Sequence, residues 1–74
     1  MTTFNILNPQ NDYKKLEEEL KKMDVINYFE INKINKIINL ELNVKPYNEK
    51  YKEVINEITE VCKKLDINVE YTTY

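Results

Sequence analysis

Few side chains in this 74-residue sequence are equipped for chemistry. Cys62 is the one thiol. Glu30 and Glu41 are carboxylates that neighbouring strands could bring together. Lys33 and Lys36 close two successive Ile-Asn-Lys tripeptides, at 31–33 and 34–36, and the tyrosines, Tyr28, Tyr47 and Tyr74 among them, offer both a ring and a hydroxyl. What is missing narrows the reactions further. Without Gly there is no phosphate-cradling loop and no dinucleotide fingerprint. Without His or Ser there is no conventional triad, and without Arg no bidentate clamp for a carboxylate, a phosphate or guanine. One cysteine excludes an internal disulfide and leaves a structural zinc site short of ligands. Cys62 also stands at helical spacing with Ile58 and Leu65, the position of a small buried hydrophobe rather than a reactive thiol. A Glu30 and Glu41 pair would need a pocket that sets their acidities apart before it could act as acid and base, and solvated strand carboxylates are commoner. The expectation is a protein that is not an enzyme, with no catalytic residue, metal or cofactor. The abundance of Asn, Ile, Lys and Tyr reads as AT-rich coding.

Composition sets the rest of the frame. With 11 Lys against 13 acids the net charge is -2, which gives no general reason to bind nucleic acid or an anionic membrane. The hydrophobic fraction, 42%, suffices for one core, and the length allows one domain over 1–74. No apolar run approaches the length of a membrane span, and the opening "MTTFNILNPQ" has neither the charged nor the apolar part of a signal peptide. A soluble chain in the reducing cytoplasm is expected.

The positioning elements follow from periodicity. Phe4 and Ile6 alternate with Thr3, Asn5 and Leu7, a short strand that Asn8-Pro9 breaks. Asn8 or Asn11 is a candidate N-cap for a helix with Tyr13, Leu16, Leu20 and Met23 on one stripe, Pro9 in its first turn, and Lys21 and Lys22 at its negative end. The run "KKLEEELKK" at 14–22 has the mixed signs of a solvated helix face, pairing Glu17 with Lys21 and Glu18 with Lys22. From Val25 the period becomes two. Val25, Phe29 and Ile31 share a face in which Asn27 is a defect, and Ile26, Tyr28 and Glu30 point the other way. Ile38, Leu40, Leu42 and Val44 then alternate cleanly with Asn39, Glu41 and Asn43 until Lys45-Pro46. Residues 47–65 place Tyr47, Tyr51, Val54, Ile55, Ile58, Val61, Cys62 and Leu65 on a second helical face, and Ile67, Val69 and Tyr71 alternate as a last strand.

The order is strand, helix, strand, strand, helix, strand, and the halves echo each other. "KKMDV" at 21–25 and "KKLDI" at 63–67 occupy the same joint, where a helix hands over to a strand. On this order and this echo the chain resembles, in topology and over nearly its full length, the ferredoxin-like α+β fold. The resemblance implies a four-stranded antiparallel sheet of order 4-1-3-2 with both helices on one face. The defective strand then falls at an edge, where a polar inward residue is better tolerated. Phe4, Ile6, Phe29, Ile31, Ile38, Leu40, Leu42, Val44, Ile67 and Val69 would be buried against the helices.

Small folds of this kind usually work through the open face of the sheet. Here it would carry Asn5, Leu7, Tyr28, Glu30, Asn39, Glu41, Asn43, Asn68, Glu70 and Thr72. RNA-binding domains of this topology set stacking aromatics among basic groups there; this face offers Tyr28 on an edge strand and only acidic charges, which counts against nucleic acid. Metal carriers of the fold use Cys-x-x-Cys where this chain reads "NPQND", acylphosphatases need an Arg, and regulatory domains of the ACT type usually rely on a glycine turn after the first strand. A protein partner is the leading expectation, met through Tyr28, Glu30, Asn39, Glu41, Asn43 and Glu70 or through the edge strand 25–31, with edge pairing into a homodimer as a further option. In its most concrete form this is an inhibitor from a phage or mobile element, of the anti-CRISPR kind; the alternative is an ACT-like small-molecule sensor. Lys33 and Lys36 read as a solvated hairpin tip first and a contact site second. For Phe29 and Ile31 to share a face with Ile38 and Leu40, the loop must hold an even number of residues. Phe29 falls opposite Ile38 with a four-residue loop, Asn32 to Asn35, or opposite Leu40 with a two-residue turn, Ile34-Asn35. Asn32 or Asn35 is the expected residue for positive φ.

Overall fold

The structure, a computed structural model, describes residues 2–72. Six elements follow in order: β1 (Thr2–Ile6), α1 (Lys14–Lys21), β2 (Ile26–Asn32), β3 (Ile37–Leu42), α2 (Lys50–Lys64) and β4 (Val69–Thr72). The strands form one sheet, β2-β3-β1-β4, in which each neighbouring pair is antiparallel. Read from the other edge this is 4-1-3-2. β1 and β2 are therefore parallel with β3 between them, and β3 and β4 are parallel with β1 between them, so each helix returns the chain across an inserted strand.

Register explains which residues meet. Phe4 lies opposite Ile38 and Tyr71, Ile6 opposite Val69, and Phe29 opposite Leu40. These side chains share the face covered by both helices, where Tyr13, Leu16 and Leu20 from the first half meet Tyr51, Val54, Ile55, Ile58 and Cys62 from the second. Phe4, Leu16, Ile38, Leu40, Ile58 and Cys62 are wholly buried. Burial pushes the Cys62 thiol up to about 11, which keeps it protonated and inert at neutral pH. Of the other residues expected inside, Phe29, Ile31, Leu42, Val44 and Val69 are partly buried against this core. At the end of the layer Thr2 and Tyr51 share a hydrogen bond, and the Tyr51 and Tyr71 hydroxyls lie 3.2 Å apart. That bond to Tyr51, with partial burial, pushes Tyr71 up to about 12.

Several expectations are corrected. The first helix does not begin at Asn8 or Asn11. It begins at Lys14, with the Asp12 carboxylate accepting from the Lys14 N–H at 2.9 Å, because the Asn8 carboxamide is engaged elsewhere. The second helix leaves out Tyr47, which is 88% exposed; the Asn48 side chain accepts from the Lys50 N–H at 2.9 Å at its start. The described ion pair on α1 is Glu19 with Lys22 at 3.5 Å, one turn apart, in place of the expected Glu17–Lys21 and Glu18–Lys22. Finally, Asn27 is not turned inward at a tolerant edge. Ile26 faces Leu42 and Tyr28 faces Glu41, so two steps on β2 match one on β3, and Asn27 is the extra residue of a bulge. The bulge exposes Asn27 and returns Ile26 to the core side, where it packs with Val25.

The hairpin resolves into the second register, Phe29 opposite Leu40, but with a loop of four residues, 33–36, after the last pair Asn32–Ile37. The Asn32 carboxamide oxygen accepts from the Ile34 and Asn35 N–H groups at 3.0 and 2.9 Å, an Asx turn that uses Asn32 as a template. Positive φ then falls on Lys36, at 58°, whose carbonyl accepts from the Ile6 N–H at 2.8 Å.

Candidate docking face

The face of the sheet away from the helices forms a small grid. One row across the strands runs Asn32, Ile37, Asn5 and Glu70, the next Glu30, Asn39, Thr3 and Thr72, and a third begins with Tyr28 and Glu41. Side chains directly opposite on neighbouring strands have Cβ atoms about 5 Å apart. Tyr28, Glu30, Asn39 and Glu41 are thus brought into one quartet on β2 and β3.

The centre of this face is satisfied internally. Thr3 Oγ1 donates to Asn39 Oδ1 at 2.9 Å, and Asn5 Nδ2 donates to Thr72 Oγ1 at 2.7 Å. Thr3 is only 7% exposed despite facing away from the helices. Its role was missed in sequence, although its alternation with Asn5 was the available signal. These cross-strand bonds, one from β1 to β3 and one from β1 to β4, form a polar floor, and the groups left projecting on β2 and β3 are Tyr28, 52% exposed, with Glu30 and Glu41 beside it. Among the described residues no lysine stands within ion-pair reach of either carboxylate.

The other expected contact residues lie apart from the quartet. Glu70 is exposed on β4, opposite Asn5 and about 14 Å from β2 across three strand spacings. Asn43 lies just past the end of β3. Its N–H donates to the Val25 carbonyl at 2.9 Å and its carboxamide to the Asp24 carbonyl at 3.3 Å, so it fastens the entry to β2. At the hairpin tip, Lys33 Nζ lies 5.9 Å from the centre of the Tyr13 ring, a cation–π contact that ties the loop to the start of α1, and Lys36 closes the turn. Tyr74 lies outside the described residues.

Just past the same end of β1, Asn8 acts as a clamp. Its carboxamide donates to the Asp66 carbonyl at 3.0 Å and accepts from the Asn68 N–H at 2.6 Å, while Gln10 Nε2 also reaches the Asp66 carbonyl at 3.3 Å. This occupies the connection between β1 and α1 with the chain's own polar groups. A groove of about 610 Å³ lies on the helical side with Met23 and Val61 beside Glu53, Glu57, Glu60 and Lys64. Its carboxylates recur at helical spacing along the solvated side of α2 and converge on no point, so it is a weaker candidate than the quartet. Compared with known proteins, the chain has no significant match to any family model, curated protein or solved structure.

Proposed function

We propose that this chain is a ferredoxin-like domain that works as a protein-binding module, docking a partner on the β2–β3 corner of its open face. The observation that carries this reading is the contrast within that face: a central floor whose hydrogen bonds are already made, beside an exposed tyrosine ring and two carboxylates with no neighbouring cation among the described residues. A tyrosine in such a setting supplies a large, stiff contact area, and the carboxylates supply sign, favouring a basic partner. The ferredoxin-like assignment is supported by the order of the six elements and of the strands. In its most specific form the module is an inhibitor carried by a phage or mobile element, anti-CRISPR proteins being the type, whose carboxylates occupy a basic nucleic-acid groove on a host enzyme.

The ACT-like alternative is less favoured, because a ligand entering between β1 and α1 would have to displace the Asn8 and Gln10 bonds. The test is capture of a partner from a lysate of the encoding organism by the wild type, by the double variant Glu30→Lys/Glu41→Lys and by Lys33→Ala. The expected result is that the double variant loses a partner the other two retain, with unchanged circular dichroism. A partner that survives charge reversal, or an amino acid or nucleotide that stabilises the fold in a thermal-shift screen, overturns the reading.

A further inference from the structure

β2 is an edge of the sheet: one side pairs with β3, and the backbone of the other side has no strand against it among the described residues. Natural edges are usually blunted by lysine, proline, an inward charge or a bulge. Residues 26–32, INYFEIN, contain no lysine and no proline, and the one charge, Glu30, points to the open face. The bulge at Asn27 interrupts only the first part, which leaves Tyr28 to Asn32, about 17 Å of regular strand, with a free edge. Beside the start of that edge, on the side toward the helices, lies a groove of about 370 Å³ between the end of α1 and the first part of β2, lined by Leu20, Lys21, Ile26, Asn27, Tyr28 and Phe29. A free strand edge flanked by a helix, with a trough between them that is apolar at Leu20, Ile26 and Phe29 and polar at Lys21 and Asn27, is the geometry that accepts an added strand: main-chain bonds supply affinity and the trough selects alternate side chains.

We propose that an extended segment of a partner protein adds to β2 as a fifth strand, with its sequence alternating between apolar and basic residues. This rests on the protein-binding reading above and names its mode. Because side chains alternate between faces, one set enters the trough beside Ile26 and Phe29, and the other lies on the open face beside Glu30 and Tyr28, with Glu41 one strand further in. The carboxylates of that second row, which have no cation among the described residues, select lysine or arginine. The same charges disfavour a second copy as the occupant. Antiparallel pairing of two β2 strands that keeps the faces matched puts Glu30 and Glu41 of both copies on one continuous face, four carboxylates with no base between them.

The test is a titration of isotopically labelled protein with capped peptides of about seven residues: alternating valine and lysine, alternating valine and glutamate, and the valine–lysine peptide with alternate main-chain nitrogens methylated. The expected result is that the valine–lysine peptide shifts the amides of Tyr28–Asn32 and slows their hydrogen exchange, that N-methylation weakens binding by about tenfold or more as main-chain bonds are lost, and that Glu30→Lys/Glu41→Lys inverts the preference to the glutamate peptide. Binding indifferent to N-methylation, shifts confined to other strands, no binding at millimolar peptide, or a doubled mass of the free protein by light scattering would each overturn the proposal. If the charge-reversed variant loses its captured partner while the β2 amides of the wild type are unchanged in that complex, the docking face stands and strand addition falls. If capture is indifferent to charge reversal, the docking reading falls as well.

Discussion

The two halves of the chain repeat one plan with different emphasis, and the joint after each helix shows how. Lys-Lys-Met-Asp-Val ends α1 and Lys-Lys-Leu-Asp-Ile ends α2. In each case the Asp carbonyl accepts from the carboxamide of an asparagine just past a central strand: Asp66 from Asn8 after β1, Asp24 from Asn43 after β3. So far the halves match. At the second joint, however, Ile67 N–H donates to the Cys62 carbonyl at 2.9 Å and Asp66 N–H to the Lys63 carbonyl at 3.0 Å, with Asp66 at φ 62°, the paired bonds of a Schellman cap. At the first, Asp24 has no positive φ, the helix runs 8 residues against 15, and the chain enters β2 near a bulge. The same five-residue pattern therefore permits two exits, and the difference lies in what surrounds it. The longer helix buries Tyr51, Val54, Ile55, Ile58 and Cys62, and its sharp cap drives Ile67 straight into the core.

The largest test of this asymmetry is the core itself. Ile58→Ala in the longer helix should cost about 2–5 kcal/mol, much of the stability of so small a domain, measured by urea denaturation. A loss under about 1 kcal/mol would mean that α2 is not the principal wall of the core. Next come the clamps. Asn8→Ala removes a donor and an acceptor and should cost about 1–2 kcal/mol, while Asn43→Ala, which loses one longer carboxamide bond, should cost about 0.5 kcal/mol. Equal losses would restore the symmetry. A smaller and sharper test is glycine at both joints. Asp66→Gly should stabilise by about 0.5–1 kcal/mol by relieving left-handed backbone, and Asp24→Gly should destabilise by a similar amount because it gains only unfolded-state freedom. Two changes of the same sign would break the comparison.

Alkaline pH supplies the last test. Cys62 and Tyr71 release their protons less readily in the folded state, at about 11 and about 12, than their ordinary values of 9.0 and 10.0. The folded chain thus holds more protons, so their contribution is fully present below pH 9 and is lost as pH rises through 9 to 11 for Cys62 and 10 to 12 for Tyr71. Melting temperature should be insensitive to these groups from pH 6 to 8 and fall above pH 9, and Cys62→Ala should flatten the first part of that fall.

The hairpin and β2 show where local reading stopped. Parity alone required an even loop and admitted the observed Phe29–Leu40 register, because a slip of one residue would turn Asn39 and Glu41 inward. It did not show that Asn32 would spend its side chain on the turn and pass positive φ to Lys36, which depends on the Ile6 N–H waiting at the end of β1. Asn27 was legible as a defect, but its cure was not. A polar inward residue and a bulge leave the same mark in a sequence, and only the packing of Ile26 and Val25 against the core chose between them. The face shared by Tyr28, Glu30, Asn39 and Glu41 was legible because period two assigns a face. Asn43 was not, because its strand ends at Leu42 and its carboxamide serves the other half.

By itself the sequence determined the six elements and their order, the apolar side of each apart from the bulged start of β2, and the burial of Cys62, because periods of two and 3.6 record which side meets the core. Tertiary structure alone decided the bulge, the residues that carry left-handed backbone, the Asn8 and Asn43 clamps and the Thr2–Tyr51–Tyr71 hydroxyl contacts. The clamps and the hydroxyl contacts depend on a polar group meeting another from distant sequence, and the bulge on the packing of Ile26 and Val25 against the core; contacts between remote positions leave no periodic trace in the chain that makes them.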